Sequence, residues 1–336
     1  MKTSVFATVI AASLATAASA EGVLNIYSSR HYDTDERLYG DFEEATGITI
    51  NRIEGNADEL IARMEAEGAN SPADVLITVD TSRLARAKDA GILQSVESDV
   101  LEDKIPSNLQ DADNQWFGFS QRARIFFYAK DSVDTPPATY LELADPAYKG
   151  KVCIRSSTNT YNQTLLAAIV TNHGEDAAKT WAEGVVANMA REPQGGDTDQ
   201  LRGLVSGECD IAVSNSYYFA RALRSDVEGI SADIDKIAWL FPAQEAEGAH
   251  MNLSGAGVAA HAPNRDNAVK FLEYLASDQA QVYFSNGNDE FPAVPGVALA
   301  DNVAKLGSFK ADEVNLSEVA KNIPTAQKIF NEVGWK

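Results

Sequence analysis

The stretch Ala73-Asp74-Val75-Leu76-Ile77-Thr78-Val79 is nearly all apolar and rich in β-branched residues. Such a run suits a strand buried on both faces, as strands of a parallel sheet are. Upstream of it, Val23 to Ser28 and Ile48 to Ile53 are two further short β-rich runs. Helical spacing fills the gaps between the three. Asp33 and Glu36 stand in capping-box spacing ahead of a stripe at Leu38, Phe42 and Ala45, and Gly47 ends it. Asn56 and Glu59 open the next helix, with Leu60, Ile61 and Met64 inward and Gly68 at the stop. Thr81 to Ala90 reads as a third helix, closed by Gly91. This β-α-β-α-β-α order implies an α/β fold, a parallel sheet with helices on both faces.

A second series starts after Gly150. Lys151 to Arg155 reads as a strand, Asn162 to Thr171 and Glu175 to Met189 as helices, and Pro193 to Gly196 as a loop. Cys209 to Val213 is a strand, Tyr217 to Arg224 a helix and Lys236 to Leu240 a strand. Asn264 to Leu275 and Leu316 to Val333 read as helices. Between the two series, Phe119 to Tyr128 runs without Gly, Pro, Asn or Asp, so it can cross from one lobe to another. Leu253-Ser254-Gly255-Ala256-Gly257-Val258 is the candidate return crossing. The expected division is residues 21–120 plus 250–300 in lobe 1 and 121–249 plus 301–336 in lobe 2.

Residues 1–20 have the pattern of a secretory signal peptide: Lys2, an apolar run from Val5 to Leu14, and Ala18-Ser19-Ala20 as the cleavage site. About 316 residues would remain, long for one core and suited to two domains. No later run reaches the roughly 18 apolar residues that a membrane span needs. Losing Lys2 leaves 27 basic against 49 acidic residues, a net charge of −22. That charge argues against nucleic acid or an anionic membrane surface as partner and would attract cations. A soluble, exported protein without stable membrane insertion is expected. Cys153 and Cys209 are the only cysteines, too far apart for a zinc motif. Export permits a disulfide between them, and that reading is favoured over two buried free thiols.

Three βα connections carry tyrosine: Tyr32 after the first strand, Tyr161 after Lys151 to Arg155, and Tyr217-Tyr218 after Cys209 to Val213. Ligands of open α/β sheets bind at the carboxyl ends of strands, so all these phenols fall where a cleft would be. A phenol titrates near pH ~10, and a hard trivalent cation can displace its proton. Adjacent residues on a regular helix point apart, so Tyr217 and Tyr218 are expected to converge only where the chain is not yet helical.

At these residues the chain resembles the ferric-iron-binding proteins of ABC transporters, the FutA/FbpA type. The resemblance rests on Tyr27-Ser28-Ser29-Arg30-His31-Tyr32, Pro72-Ala73-Asp74-Val75-Leu76, Trp116-Phe117-Gly118, Cys153-Ile154-Arg155-Ser156-Ser157, Gly207-Glu208-Cys209-Asp210-Ile211-Ala212 and Asn215-Ser216-Tyr217-Tyr218. Asn252 to Val258 and the helix after it match as well. The resemblance implies a two-lobed periplasmic binding protein (type II, transferrin-like) with two extended crossover strands. It implies Tyr32 as a metal ligand from the first lobe and Tyr161, Tyr217 and Tyr218 from the second, with His31 as ligand or neighbour. It places Arg122 and Arg221 behind the ligands and implies a periplasmic monomer that delivers its cargo to an inner-membrane permease. Oxygen donors with at most one imidazole disfavour Cu(I) and offer zinc no thiolate. Calcium and magnesium normally take carboxylates and carbonyls. Fe(III) is the best match as transported ligand, and Fe(II) fits if one or more phenols keep their protons.

The rival reading is a binding protein of the same fold for another solute. Acidity and aromatics suggest a polyamine, whereas Arg30, Arg155 and the nearby serines suggest a small anion. No Gly-x-Ser-x-Gly elbow, His-Glu-x-x-His or P-loop occurs, so an enzyme is not expected. Tyr39, Tyr128, Tyr140, Tyr148, Tyr274 and Tyr283 read as structural, and His173, His250 and His261 as surface or loop residues.

Overall fold

The computed structural model describes residues 22–30, 32 and 34–336. The expected leader peptide, His31 and the expected Asp33 cap lie outside the described residues. Nine strands form one sheet: β1 Val23–Ser28, β2 Thr49–Glu54, β3 Val75–Thr78, β4 Phe117–Ala129, β5 Val152–Cys153, β6 Ile211–Asn215, β7 Ile237–Leu240, β8 Met251–Val258 and β9 Phe291–Pro292. The path is β2-β1-β3-β8-β4-β6-β5, with β7 and β9 also paired to β4. The β1–β2, β1–β3 and β5–β6 pairs are parallel, as helical crossovers require. All four residues of β3 are buried, which is what its unbroken apolar run demanded.

The long strand β4 is the joint. From Phe117 to Ala123 it pairs antiparallel with β8, and from Arg124 to Tyr128 with β6. Its partner changes between adjacent residues, so one strand belongs to both halves of the sheet. The expected return crossing is β8, whose approach is fixed by the Arg124 N–H donating to the His250 carbonyl at 3.0 Å. A third segment joins there: β9 pairs with Ser120 and Gln121 of β4. Glycine is needed on β8 because the Gln115 carbonyl comes within 2.4 Å of where a Cβ at Gly257 would sit. Gly255-Ala256-Gly257 is therefore a close strand approach.

Two expectations change. The final helix is two, Leu316–Lys321 and Ile323–Val333. Pro324 opens the second, where a missing N–H costs nothing, but it cannot continue the first. The helix Asp197–Ser206 was not anticipated. Its polar first turn hid an apolar stripe of only two residues, Leu201 and Leu204.

Cys153 on β5 and Cys209 just before β6 are bonded, with their Cα atoms 5.8 Å apart. Replacing both with serine is expected to lower stability by about 2–4 kcal/mol, since the bond closes a long loop in the unfolded chain. Urea unfolding of the metal-free protein measures this, and an unchanged midpoint would show that the bond adds nothing.

Candidate functional site

The tyrosines sit where strands hand over to helices. Tyr161 lies in the first turn of the helix Thr160–His173, whose cap Asn159 accepts from the Asn162 N–H. Tyr217 and Tyr218 lie in the first turn of the helix Ser216–Arg224, which follows β6 without a loop. The expectation that the pair could converge only outside a helix is corrected. Both residues are helical, yet their ring centroids are 4.0 Å apart at 31°. Side chains of a helix lean toward its N-terminus, and in the first turn no preceding turn separates them. The same helix ends place positive partial charge beside the three phenols, which favours an ionised oxygen there.

Tyr32, just past β1, completes the group. Tyr161 and Tyr217 are buried and Tyr32 is half-buried. Burial pushes the Tyr217 phenol well above its ordinary range, and Tyr161, Tyr32 and Tyr218 push it further because each would crowd it with negative charge. Burial likewise raises Tyr218, with Asp197 and Tyr161 adding to it. Burial, then Glu290, raises Tyr32, while Arg122 and Arg30 oppose them. The phenols thus form one electrostatic cluster, in which Tyr161 raises the cost of ionising Tyr32, Tyr217 and Tyr218. Among the described residues, no group of three or more His, Cys, Asp or Glu side chains could hold a metal ion.

Arginines back the phenols. The Arg122 guanidinium, fully buried, lies 6.0 Å from the Tyr161 ring centroid and 5.9 Å from that of Tyr217. Arg221 stands 5.5 Å from the Tyr217 ring and Arg30 stands 4.8 Å from the Tyr32 ring. Arg155 and Arg124 approach Tyr161 at 5.6 and 5.8 Å. Each of these cations also meets a carboxylate. Glu290, fully buried, faces Arg30 at 3.4 Å and Arg122 at 3.7 Å, and accepts from the Ser120 hydroxyl. Burial alone would push Arg122 down, but Glu290 and the phenols of Tyr161, Tyr32 and Tyr217 hold it above its usual range. Asp289 pairs with Arg221 at 3.3 Å and also with Arg224. Asp197 pairs with Arg124 at 2.9 Å and lies 3.9 Å from Arg155.

Of the expected residues, Tyr32, Tyr161, Tyr217, Tyr218, Arg122 and Arg221 come together. Sequence reasoning missed Arg124, Asp197, Asp289 and Glu290. Arg124 was within reach, because side chains two apart on a strand share a face and Arg122 had been singled out. The acidic dipeptide Asp289-Glu290 carries no such spacing. His250, expected as a surface or loop residue, lies just ahead of β8 but is only 2% exposed, and burial pushes its imidazole down to about 3. Tyr140 is structural as expected: its hydroxyl donates to the Arg124 carbonyl at 2.7 Å and accepts from the His250 N–H at 2.8 Å.

Residues 38–311 match the model of the bacterial extracellular solute-binding proteins. The iron uptake protein A1 of Synechocystis is 49% identical over 93% of this chain and 87% of its own length. The Trichodesmium FutA structure with iron and citrate ligands superimposes with a TM-score of 0.91 at 49% identity, covering 94% of this chain and all of that one. The ferric binding protein of Campylobacter jejuni gives a TM-score of 0.87 at 41% identity, over 93% of this chain and all of its own. The fold is thus the two-lobed, type II periplasmic binding-protein architecture, and the chain belongs to the bacterial extracellular solute-binding proteins, in the group of the iron uptake and ferric-binding proteins.

Proposed function

We propose that this chain is the substrate-binding protein of an iron ABC uptake system. It takes Fe(III) as cargo between its lobes through the phenolate oxygens of Tyr32, Tyr161, Tyr217 and Tyr218, with His31 as a further donor. It acts by binding, not catalysis, and delivers iron from the periplasm to an inner-membrane permease. Lobe 1 comprises residues 21–120 and 250–300, and lobe 2 residues 121–249 and 301–336. The observation that carries this reading is a cluster of phenols from three separate βα connections: Tyr161 and Tyr217 share the Arg122 guanidinium, Tyr218 packs 4.0 Å from Tyr217, and Tyr32 lies against Arg30, which shares Glu290 with Arg122. Four phenolates around a trivalent ion leave one net negative charge, and Arg122 and Arg221 stand where they offset it. The small-anion rival loses Arg30, which is bound to Asp35 at 2.9 Å and to Ser254 at 2.7 Å.

Ferric loading tests the proposal. Phenolate-to-iron charge transfer should colour the protein, and a colourless loaded protein would overturn it. The pH dependence has a definite sign. Tyr32, Tyr217 and Tyr218 are held above the ordinary phenol range without metal, so they reach the metal protonated and must lose their protons to bind it. Affinity therefore rises with pH. Competition against a chelator, corrected for its own protonation, should give weaker binding at pH 5 than at pH 8. Equal binding would argue against phenolate donors.

A further inference from the structure

Helix Ile323–Val333 ends on Gly334 in the left-handed conformation, φ 69°. The chain then turns back, with the Trp335 N–H donating to the Phe330 carbonyl at 3.0 Å. The Trp335 indole is 4% exposed, packed 5.0 Å from the Phe330 ring and 5.8 Å from that of Trp181. Its Nε1–H donates to the Arg155 carbonyl at 3.0 Å. One residue on, the Lys336 carbonyl accepts from the Ser157 N–H at 2.9 Å. Both contacts land on the connection between β5 and the helix Thr160–His173, whose first turn carries Tyr161.

That connection has little else to fix it. β5 is only two residues long, so the sheet ladder ends well before Tyr161. Beyond it the backbone is tied from one side by its own helix. Asn162 donates to the Arg155 carbonyl at 2.6 Å, and Gln163 donates to the Ser157 carbonyl at 3.1 Å. Trp335 and Lys336 supply the opposite side. Asn162 in turn accepts from Arg124 at 2.8 Å, so Arg155 is held between the indole and the residue next to Tyr161. We infer that Trp335 and Lys336 form a strap that positions Tyr161 for metal binding. Trp335 is a positioning residue and does not touch the metal. This inference rests on the reading of Tyr161 as an iron ligand.

The test is a double-mutant cycle on the full mature chain, with ferric affinity and the visible band as readouts. Trp335→Phe keeps an aromatic ring in the packing but removes the Nε1–H donor together with part of the buried indole; the Tyr161→Phe background separates the two losses. Trp335→Phe is expected to weaken ferric binding about 3- to 10-fold, the scale of one lost hydrogen bond, and to shift the band. In a Tyr161→Phe background the same change should have no further effect on affinity, because coupled residues are non-additive. A Trp335→Phe protein that matches the wild type in both readouts overturns the strap while leaving the ligand reading intact. An equal loss in both backgrounds also overturns it, as a general weakening. If Tyr161→Phe alone changes neither affinity nor band, the ligand reading fails and the strap with it. Should Trp335→Phe not fold, deletion of Lys336 alone removes the Ser157 contact and decides by the same criteria.

Discussion

Tyr217→Phe is expected to weaken ferric binding by on the order of 100-fold or more and to fade the visible band. Tyr217 is the phenol on which the others act: its ring lies 4.0 Å from that of Tyr218, Tyr161 and Tyr32 add to the cost of ionising it, and Arg122 and Arg221 stand against its ring. Losing a residue that merely orients a ligand typically costs 10- to 100-fold in metal affinity, so loss of a donor oxygen falls at or beyond the top of that range. The fold should barely notice. Phenylalanine keeps the buried ring, and one hydroxyl accounts for about 1 kcal/mol of stability. Unfolding of the metal-free variant should therefore stay near that of the wild type while affinity collapses. Tyr283→Phe, on the helix Asp278–Asn288, is the control and should retain both band and affinity. A Tyr217→Phe protein with wild-type colour and affinity would remove this residue from the ligand set.

Much of this architecture was legible in the chain because period and punctuation agree. The buried run at Val75 to Thr78, the capping residue Asn56, and the stops at Gly47 and Gly68 each express a local physical requirement. So does the run Phe119 to Tyr128 within the long strand Phe117–Ala129, whose lack of breakers marked it as a crossing. What stayed hidden depends on distant partners. The break at Asn322 shows in sequence only as Pro324, two residues on. The stacking of Tyr217 on Tyr218 comes from side-chain lean at a helix start, which spacing rules for helix interiors do not describe. The carboxylates Glu290 and Asp289 reach arginines 65 to 260 residues away in sequence, and no local pattern encodes such pairings. The phenols were readable because strand ends are readable. Their ionic surroundings were not, because those are assembled by tertiary packing.

Glu290→Ala should destabilise the metal-free protein by about 3 kcal/mol and at the same time shift the pH dependence of iron binding. Removing one partner of a buried ion pair leaves an uncompensated charge and typically costs about 3–5 kcal/mol. The lower end applies here because the stranded arginines keep other partners. Arg30 retains Asp35 and Ser254, and Arg122 retains the Val79 carbonyl at 2.8 Å and Ser254 at 2.7 Å. The effect on iron has the opposite sign at low pH. After burial itself, Glu290 is the largest influence holding the Tyr32 phenol up, and it also neutralises part of the Arg122 charge facing Tyr161 and Tyr217. Without it the phenols lose their protons more easily. The fall in affinity on acidification should begin at lower pH than in the wild type, even though the fold is weaker. Glu290→Gln separates the two effects, since it removes the charge but keeps a polar group opposite Ser120. It should reproduce the pH shift with a smaller loss of stability. Urea unfolding of the metal-free variants and chelator competition from pH 5 to pH 8 measure both quantities. A destabilised Glu290→Ala protein with an unmoved pH profile would show that Glu290 holds the hinge strand together without tuning the phenols.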